Sequence, residues 1–214
     1  MQAISELHND QNFGAPLVFQ GQVGQWIEDW HPGEDYRRAY FSRRDLGGGA
    51  ALSLIHEVHL ATQLLGPAGA VSCLLPQSDL LSLQVDVIAN LMINHSIGAV
   101  SQIHLDLIQR PAHRCGVISF ERGWISYDLV APQVMAQLPG RNSPAIVWRQ
   151  ADYDPNWSYV AEMKSFLACV REGRIRHEHD AWWAAQSLAI VDAAFVSASS
   201  GCREEIPQWV RNLT

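Results

Sequence analysis

The sequence predicts an α+β fold: an open, mostly antiparallel β-sheet with helices packed on one face. Three observations carry that expectation. A helix-period segment at residues 49–65 follows an early strand, period-two alternation dominates residues 70–150, and two more helix-period segments fill the rest. The 214 residues read as a single domain, 1–214, with loose ends at 1–12 and 205–214. A hydrophobic share of 48% against 17% charged residues is a globular composition. The net charge of −7 speaks against a general binder of nucleic acid or anionic membranes. No apolar run is read as approaching the roughly 20 residues of a membrane span. The start, MQAISELHNDQ, has no signal-peptide pattern, so a cytoplasmic setting is expected. Cys73, Cys115, Cys169 and Cys202 are widely spaced and read as reduced thiols.

Phe13-Gly14-Ala15-Pro16 signals a turn, and the Val, Phe and Trp content of Leu17 to Ile27 predicts a strand. Glu28 to Arg44 is a long aromatic-rich loop, and its length marks it as functional. Gly47-Gly48-Gly49 then runs into a helix predicted over Gly49 to Leu65. Leu54, Val58, Ala61 and Leu65 form its buried stripe. Ser53, His56 and Glu57 share another stripe, off the core face. Three glycines at a helix start allow close approach of a ligand to free N–H groups. Val85 to Ile93 and Ile103 to Leu107 alternate as strands, and Glu121-Arg122-Gly123 marks a hairpin between Val117–Phe120 and Trp124–Val130. Ala145 to Trp148 is a further strand. Tyr159, Met163, Phe166 and Val170 continue at helical spacing up to Gly173. His177-Glu178-His179-Asp180 reads as the charged start of a last helix, closed by Gly201. His56-Glu57-Val58-His59 is not a zinc motif, because its histidines are three apart rather than four, and no metal is expected.

Trp30-His31-Pro32-Gly33-Glu34-Asp35-Tyr36-Arg37, followed by Leu46-Gly47-Gly48-Gly49 and His56-Glu57, resembles the C-terminal domain of the Gfo/Idh/MocA family of NAD(P)-dependent oxidoreductases. Tyr159 to Gly173 is similar to that family's penultimate helix. The resemblance implies a sugar or nucleotide sugar as substrate and His56 as the catalytic residue. Trp30, Asp35, Tyr36, Arg37 and Ser53 become the substrate-binding set. It also implies a homo-oligomer formed through the sheet face and NAD(P) as cofactor of a full-length relative. No cofactor is expected on this chain alone, since no G-x-G-x-x-G and no Glu-Lys-Pro occurs in it. The chain then begins inside the family's second domain, with a Rossmann domain as a possible separate partner, and is inactive by itself. Ser53 stands where the family usually has Asp, which removes a negative partner from His56. The alternatives are a non-catalytic binding or assembly module, His56 as a plain exposed histidine, and the loop as a lid pinned by its own Asp–Arg pairs.

Overall fold

The computed structural model describes residues 2–77, 79–154, 156–174 and 181–211. The helices are α1 (Gln2–His8), α2 (Ala50–Ser53), α3 (His56–Leu65), α4 (Asn156–Glu172), α5 (Ala181–Ser200) and α6 (Gln208–Arg211). The strands are β1 (Pro16–Gly24), β2 (Ala68–Leu74), β3 (Ile88–His95), β4 (Val100–Asp106), β5 (His113–Phe120), β6 (Gly123–Asp128), β7 (Gln133–Gln137), β8 (Ala145–Arg149) and β9 (Glu204–Glu205). They form one sheet in the order β8-β7-β6-β5-β1-β4-β3-β2-β9. Every neighbouring pair is antiparallel except β1 with β4, which is parallel. The predicted fold class is the observed one.

Two adjacent rungs show why the sheet has one apolar face. Val71, Ile93, Ser101, Phe19, Ile118, Ile125 and Ala136 lie in register across seven strands, and all are buried. The next rung is Ser72, Met92, Gln102, Gln20, Val117, Ser126 and Met135, which points to the opposite face. A one-residue step flips the side chain across the sheet, so alternation in sequence becomes segregation in space. On the buried side α3 packs against β1 and β4, and α5 against β2.

Three expectations need correction. The helix predicted over 49–65 is broken at Leu54–Ile55 into α2 and α3, with Leu54 at φ −109° and ψ 24°. Its predicted stripe, Leu54, Val58, Ala61 and Leu65, is nonetheless buried. α5 is long and apolar enough, by length and composition, to cross a membrane; instead Ile190, Val191 and Ala194 are buried in the core. The ends expected to be loose carry order where they are described: Ile4 of α1 and Ile206 beyond β9 are both buried, and Ile206 N–H donates to the Gly69 carbonyl. The expected helix start at His177 to Asp180 lies outside the described residues. The stripe Tyr159, Met163, Phe166 and Val170 of α4 faces outward.

Candidate functional site at the start of α3

The glycine run closes on the protein itself. Gly47 and Gly49 have φ of +77° and +112°, a region that L side chains rarely adopt. A Cβ on Gly48 would lie 2.6 Å from the Phe41 backbone, and one on Gly49 would enter the Asp86 carboxylate. Asp86 takes the N–H groups that begin α2: its carbonyl accepts from Ala50 at 2.7 Å and its Oδ2 from Ala51 at 2.8 Å. The donors expected to face a ligand are therefore consumed within the fold. Burial raises the pKa of Asp86, against the pull of these hydrogen bonds and of Arg44.

The aromatic loop is a string of 3-10 turns at Ile27–Asp29, Tyr36–Arg38, Tyr40–Ser42 and Arg44–Leu46. Tyr36 is only 6% exposed and offers a ligand little surface; its hydroxyl points to the Leu81 carbonyl at 3.5 Å. Asp35 caps the turn through Arg37 N–H at 3.1 Å, and its carboxylate lies 3.8 Å from the Arg37 guanidinium. That guanidinium stacks over the Tyr36 ring at 4.4 Å. Trp30 packs on the buried Phe41 with ring centroids 5.0 Å apart, and its Nε1 is buried without a hydrogen-bond partner. Asp35 and Arg37 thus hold each other, as in the pinned-lid alternative.

His56 opens α3 and is exposed. Ser53 ends α2 half-buried, its Oγ without a partner. Glu57, expected off the core face, is instead 1% exposed. Its partner is Arg114 of β5, which donates from Nε to Glu57 Oε1 at 2.8 Å. Gly21 and Gly116 face each other on β1 and β5 beside this pair and leave room for the rings of Phe19 and Tyr127. A Cβ at Gly116 would sit 2.6 Å from the Tyr127 hydroxyl oxygen, and one at Gly21 2.8 Å from Phe19 Cζ. Glu57 Oε2 and the Tyr127 hydroxyl are buried without partners. Burial pushes Glu57 upward, with Arg114 opposing, and burial followed by the Glu57 charge pushes the Tyr127 phenol upward.

The His56 imidazole is held below its ordinary pKa. Desolvation by surrounding protein is the main cause, the like charge of Arg114 adds to it, and Glu162 of α4 acts in the opposite direction. The result is an exposed, neutral imidazole at pH 7, flanked by one cation and one anion. Such a group accepts a proton from a hydroxyl placed against it.

Arg114 and Glu162 were not among the residues singled out in the sequence. Arg114 left one signal: it pairs with Val23 on the core face of β5, where a charge is out of place. Glu162 left none, because its charge reaches His56 from a helix about 100 residues further along the chain. Other candidates fall elsewhere. His59 turns to α5, with Nδ1 3.3 Å from Ser187 Oγ. His104 bridges Asn90 Oδ1 at 2.7 Å and Asp106 Oδ2 at 3.0 Å. Asp106 is 2% exposed and also accepts from the Ile108 and Gln109 N–H groups. Among the described residues no group of three or more His, Cys, Asp or Glu is arranged to hold a metal.

Volume and chemistry do not coincide. A hollow of about 780 Å³ lies on the open sheet face, lined by Gln20, Gln102, Met92, His104 and Leu74 among others. A smaller one of about 470 Å³ lies beside the glycine run, between Arg44, Asp86 and Phe195. His56 and Arg114 line neither. The titratable cluster, not cavity size, marks the candidate site.

The model of the GFO/IDH/MocA C-terminal domain matches residues 1–126. No curated protein matches the sequence significantly. Among solved structures, levoglucosan dehydrogenase in its apo form superposes with a TM-score of 0.82 at 16% identity, covering 94% of this chain and 62% of that one. The WlbA dehydrogenase from Bordetella pertussis, in complex with NADH and UDP-GlcNAcA, gives 0.70 at 20% identity, covering 96% and 60%. The aldose-aldose oxidoreductase from Caulobacter crescentus, complexed with glycerol, gives 0.76 at 20% identity, covering 94% and 58%. At such identities the likeness is one of fold, and the chain spans about 60% of the length of each neighbour. The family model covers more than half of the sequence, and the chain belongs to the GFO/IDH/MocA family as its C-terminal domain.

Proposed function

We propose that this chain is the substrate-binding and oligomerisation half of an NAD(P)-dependent oxidoreductase of sugars or nucleotide sugars. The observation that carries the reading is His56, exposed at the first turn of α3 and biased toward its neutral form. Its role is to take the proton of a substrate hydroxyl, with Ser53, Trp30, Asp35 and Arg37 around the sugar. A nicotinamide dinucleotide, when bound, supplies the hydride acceptor. The helix start after Gly49 does not fit its phosphates, because the Asp86 carboxylate fills it. The dinucleotide would therefore sit on a separate Rossmann domain, and the chain alone is expected to be inactive.

Two surfaces support the partner side of this proposal. The open sheet face carries exposed Leu74, Met92 and Ile146, suited to a second copy of the chain. The outward stripe of α4, with Tyr159, Met163 and Phe166, suits a second domain. A cytoplasmic setting belongs to the same proposal and is supported by the free thiols of all four cysteines.

The test mixes the chain with the dinucleotide-binding domain of a structural neighbour and follows sugar-dependent NADH formation. His56→Asn should abolish the rate; an unchanged rate sinks the assignment. Micromolar binding of NADH by the chain alone would overturn the cofactor claim, and a clean monomer in light scattering would overturn the sheet-face dimer. The unpartnered Ser53 Oγ favours a second reading, a binding or assembly module that has lost its catalytic acid. Ser53→Asp raising the rate in the mixed enzyme supports that loss, and no gain counts against it.

A further inference from the structure

The pair beneath His56 is an expensive way to hold a sheet to a helix. Glu57 is buried with Oε2 unpartnered, and the Tyr127 hydroxyl beside it is unpartnered too. Two central strands carry glycine, a poor strand residue, to make room for the rings below. An apolar cluster of the same volume would be at least as stable. Departures of this kind from a well-packed core concentrate at functional sites.

What the arrangement achieves is the aim of one guanidinium. Arg114 spends Nε on Glu57, which fixes its plane. Its two terminal nitrogens have no partner among the described residues, and the side chain is 37% exposed. Arginine presents its donors as a rigid fork that matches the paired oxygens of a carboxylate or a phosphate. We propose that Arg114 is a specificity-determining residue that anchors an anionic oxygen group, carboxylate or phosphate, on the sugar that meets His56. Glu57 is the positioning residue behind it. The assignment rests on the sugar-facing reading of His56 and narrows it to acidic or phosphorylated sugars. Arg114 is bonded to Glu57, the chain neighbour of His56, and its like charge acts on the His56 ring. An anion on Arg114 would offset that effect, so substrate binding and the proton affinity of His56 become linked.

The experiment uses the full chain, labelled with 15N, and follows the Arg114 Nε–H and His56 ring signals in NMR. The additions are D-glucuronate, inorganic phosphate and D-glucose. The expected result is a saturable shift of the Arg114 signal with glucuronate or phosphate, moving with His56, while glucose moves His56 alone. The stronger of the two anions identifies carboxylate or phosphate as the group taken. R114Q/E57Q, which leaves no unpaired buried carboxylate, should weaken anion binding about tenfold and leave glucose binding unchanged. R114K keeps the charge without the fork and should fall between. E162Q should tighten anion binding. If glucose and glucuronate shift His56 equally while Arg114 stays silent, the Arg114 assignment is overturned and the sugar reading stands. If anions move Arg114 but glucose leaves His56 unmoved, the anchor stands and the sugar reading fails. An Arg114 signal that no addition moves also overturns the proposal.

Discussion

Gly116→Ala should destabilise the protein by up to about 2.5 kcal/mol, and the sign should reverse once Tyr127 is removed. The added methyl would lie 2.6 Å from Tyr127 Cε1 and from its hydroxyl oxygen, and 2.7 Å from Cζ. The ring has little freedom to retreat: it is 3% exposed and stacks beside Phe19 with centroids 6.5 Å apart. Overpacking a core in this way costs about 1–3 kcal/mol. Replacing glycine by alanine in a strand returns about 0.5–1 kcal/mol, which gives the net figure above. Tyr127→Ala alone should cost about 3–5 kcal/mol through the cavity it leaves. With the ring gone, only the strand preference remains, so Gly116→Ala should now stabilise by about 0.5–1 kcal/mol. Urea unfolding of the four proteins closes a double-mutant cycle, with an expected coupling of about 1–3 kcal/mol. A coupling below about 0.5 kcal/mol would show that the glycines are not there to house the ring, and the account of the Glu57 niche would fall with it.

Gly49→Ala should destabilise by more than about 1 kcal/mol, since it strains a left-handed backbone and displaces the Asp86 cap. Asp86→Ala should cost about 1 kcal/mol on its own, and the two changes together less than their sum, as chemical denaturation will show. The His56 ring should titrate by NMR below its ordinary value of 6.5, rising in Arg114→Gln and falling further in Glu162→Gln. Because the folded value is depressed, the unfolded chain binds more protons in the window between that value and 6.5. This group's contribution to stability should therefore fall as pH drops through that window and level off below it. Phe41→Ala, at the centre of the Trp30 and His31 stack, should cost about 3–5 kcal/mol and raise amide exchange across the loop.

The sheet was legible because β3 and β4 follow a period of two, and α4 and α5 were legible from period and from Gly173 and Gly201. The break between α2 and α3 was not, since Leu54 continues the apolar stripe even though its backbone leaves the helix. The parallel partnership of β1 with β4 was equally hidden, because strand order is set by contacts far apart in sequence. At the site, the Trp30-to-Arg37 loop and His56 could be singled out from residue type. That Tyr36 serves the core and that Asp86 fills the glycine turn could not be read from a string. Both depend on which loop the fold brings alongside, and Asp86 sits in a segment whose alternation suggested strand. Arg114 was overlooked for the opposite reason: a single cation in an apolar strand looks like noise until its carboxylate is found beneath a helix.

The position of β1 has a consequence for how the chain reaches its fold. Val18 pairs with Val100 on one side and Ser119 on the other. The first of these strands in chain order therefore needs neighbours made much later on both sides. On the ribosome it would wait about 5–20 seconds for its neighbours at ordinary synthesis rates of roughly 5–20 residues per second. The meander β2-β3-β4 and the hairpin β5-β6 have local partners and form early, while inserting β1 between them closes loops of roughly 80 and 100 residues. During that interval Phe19 and Val23 are uncovered apolar side chains on a strand with two open edges. Folding yield should accordingly depend on dilution and on holding chaperones far more than the finished protein's stability does.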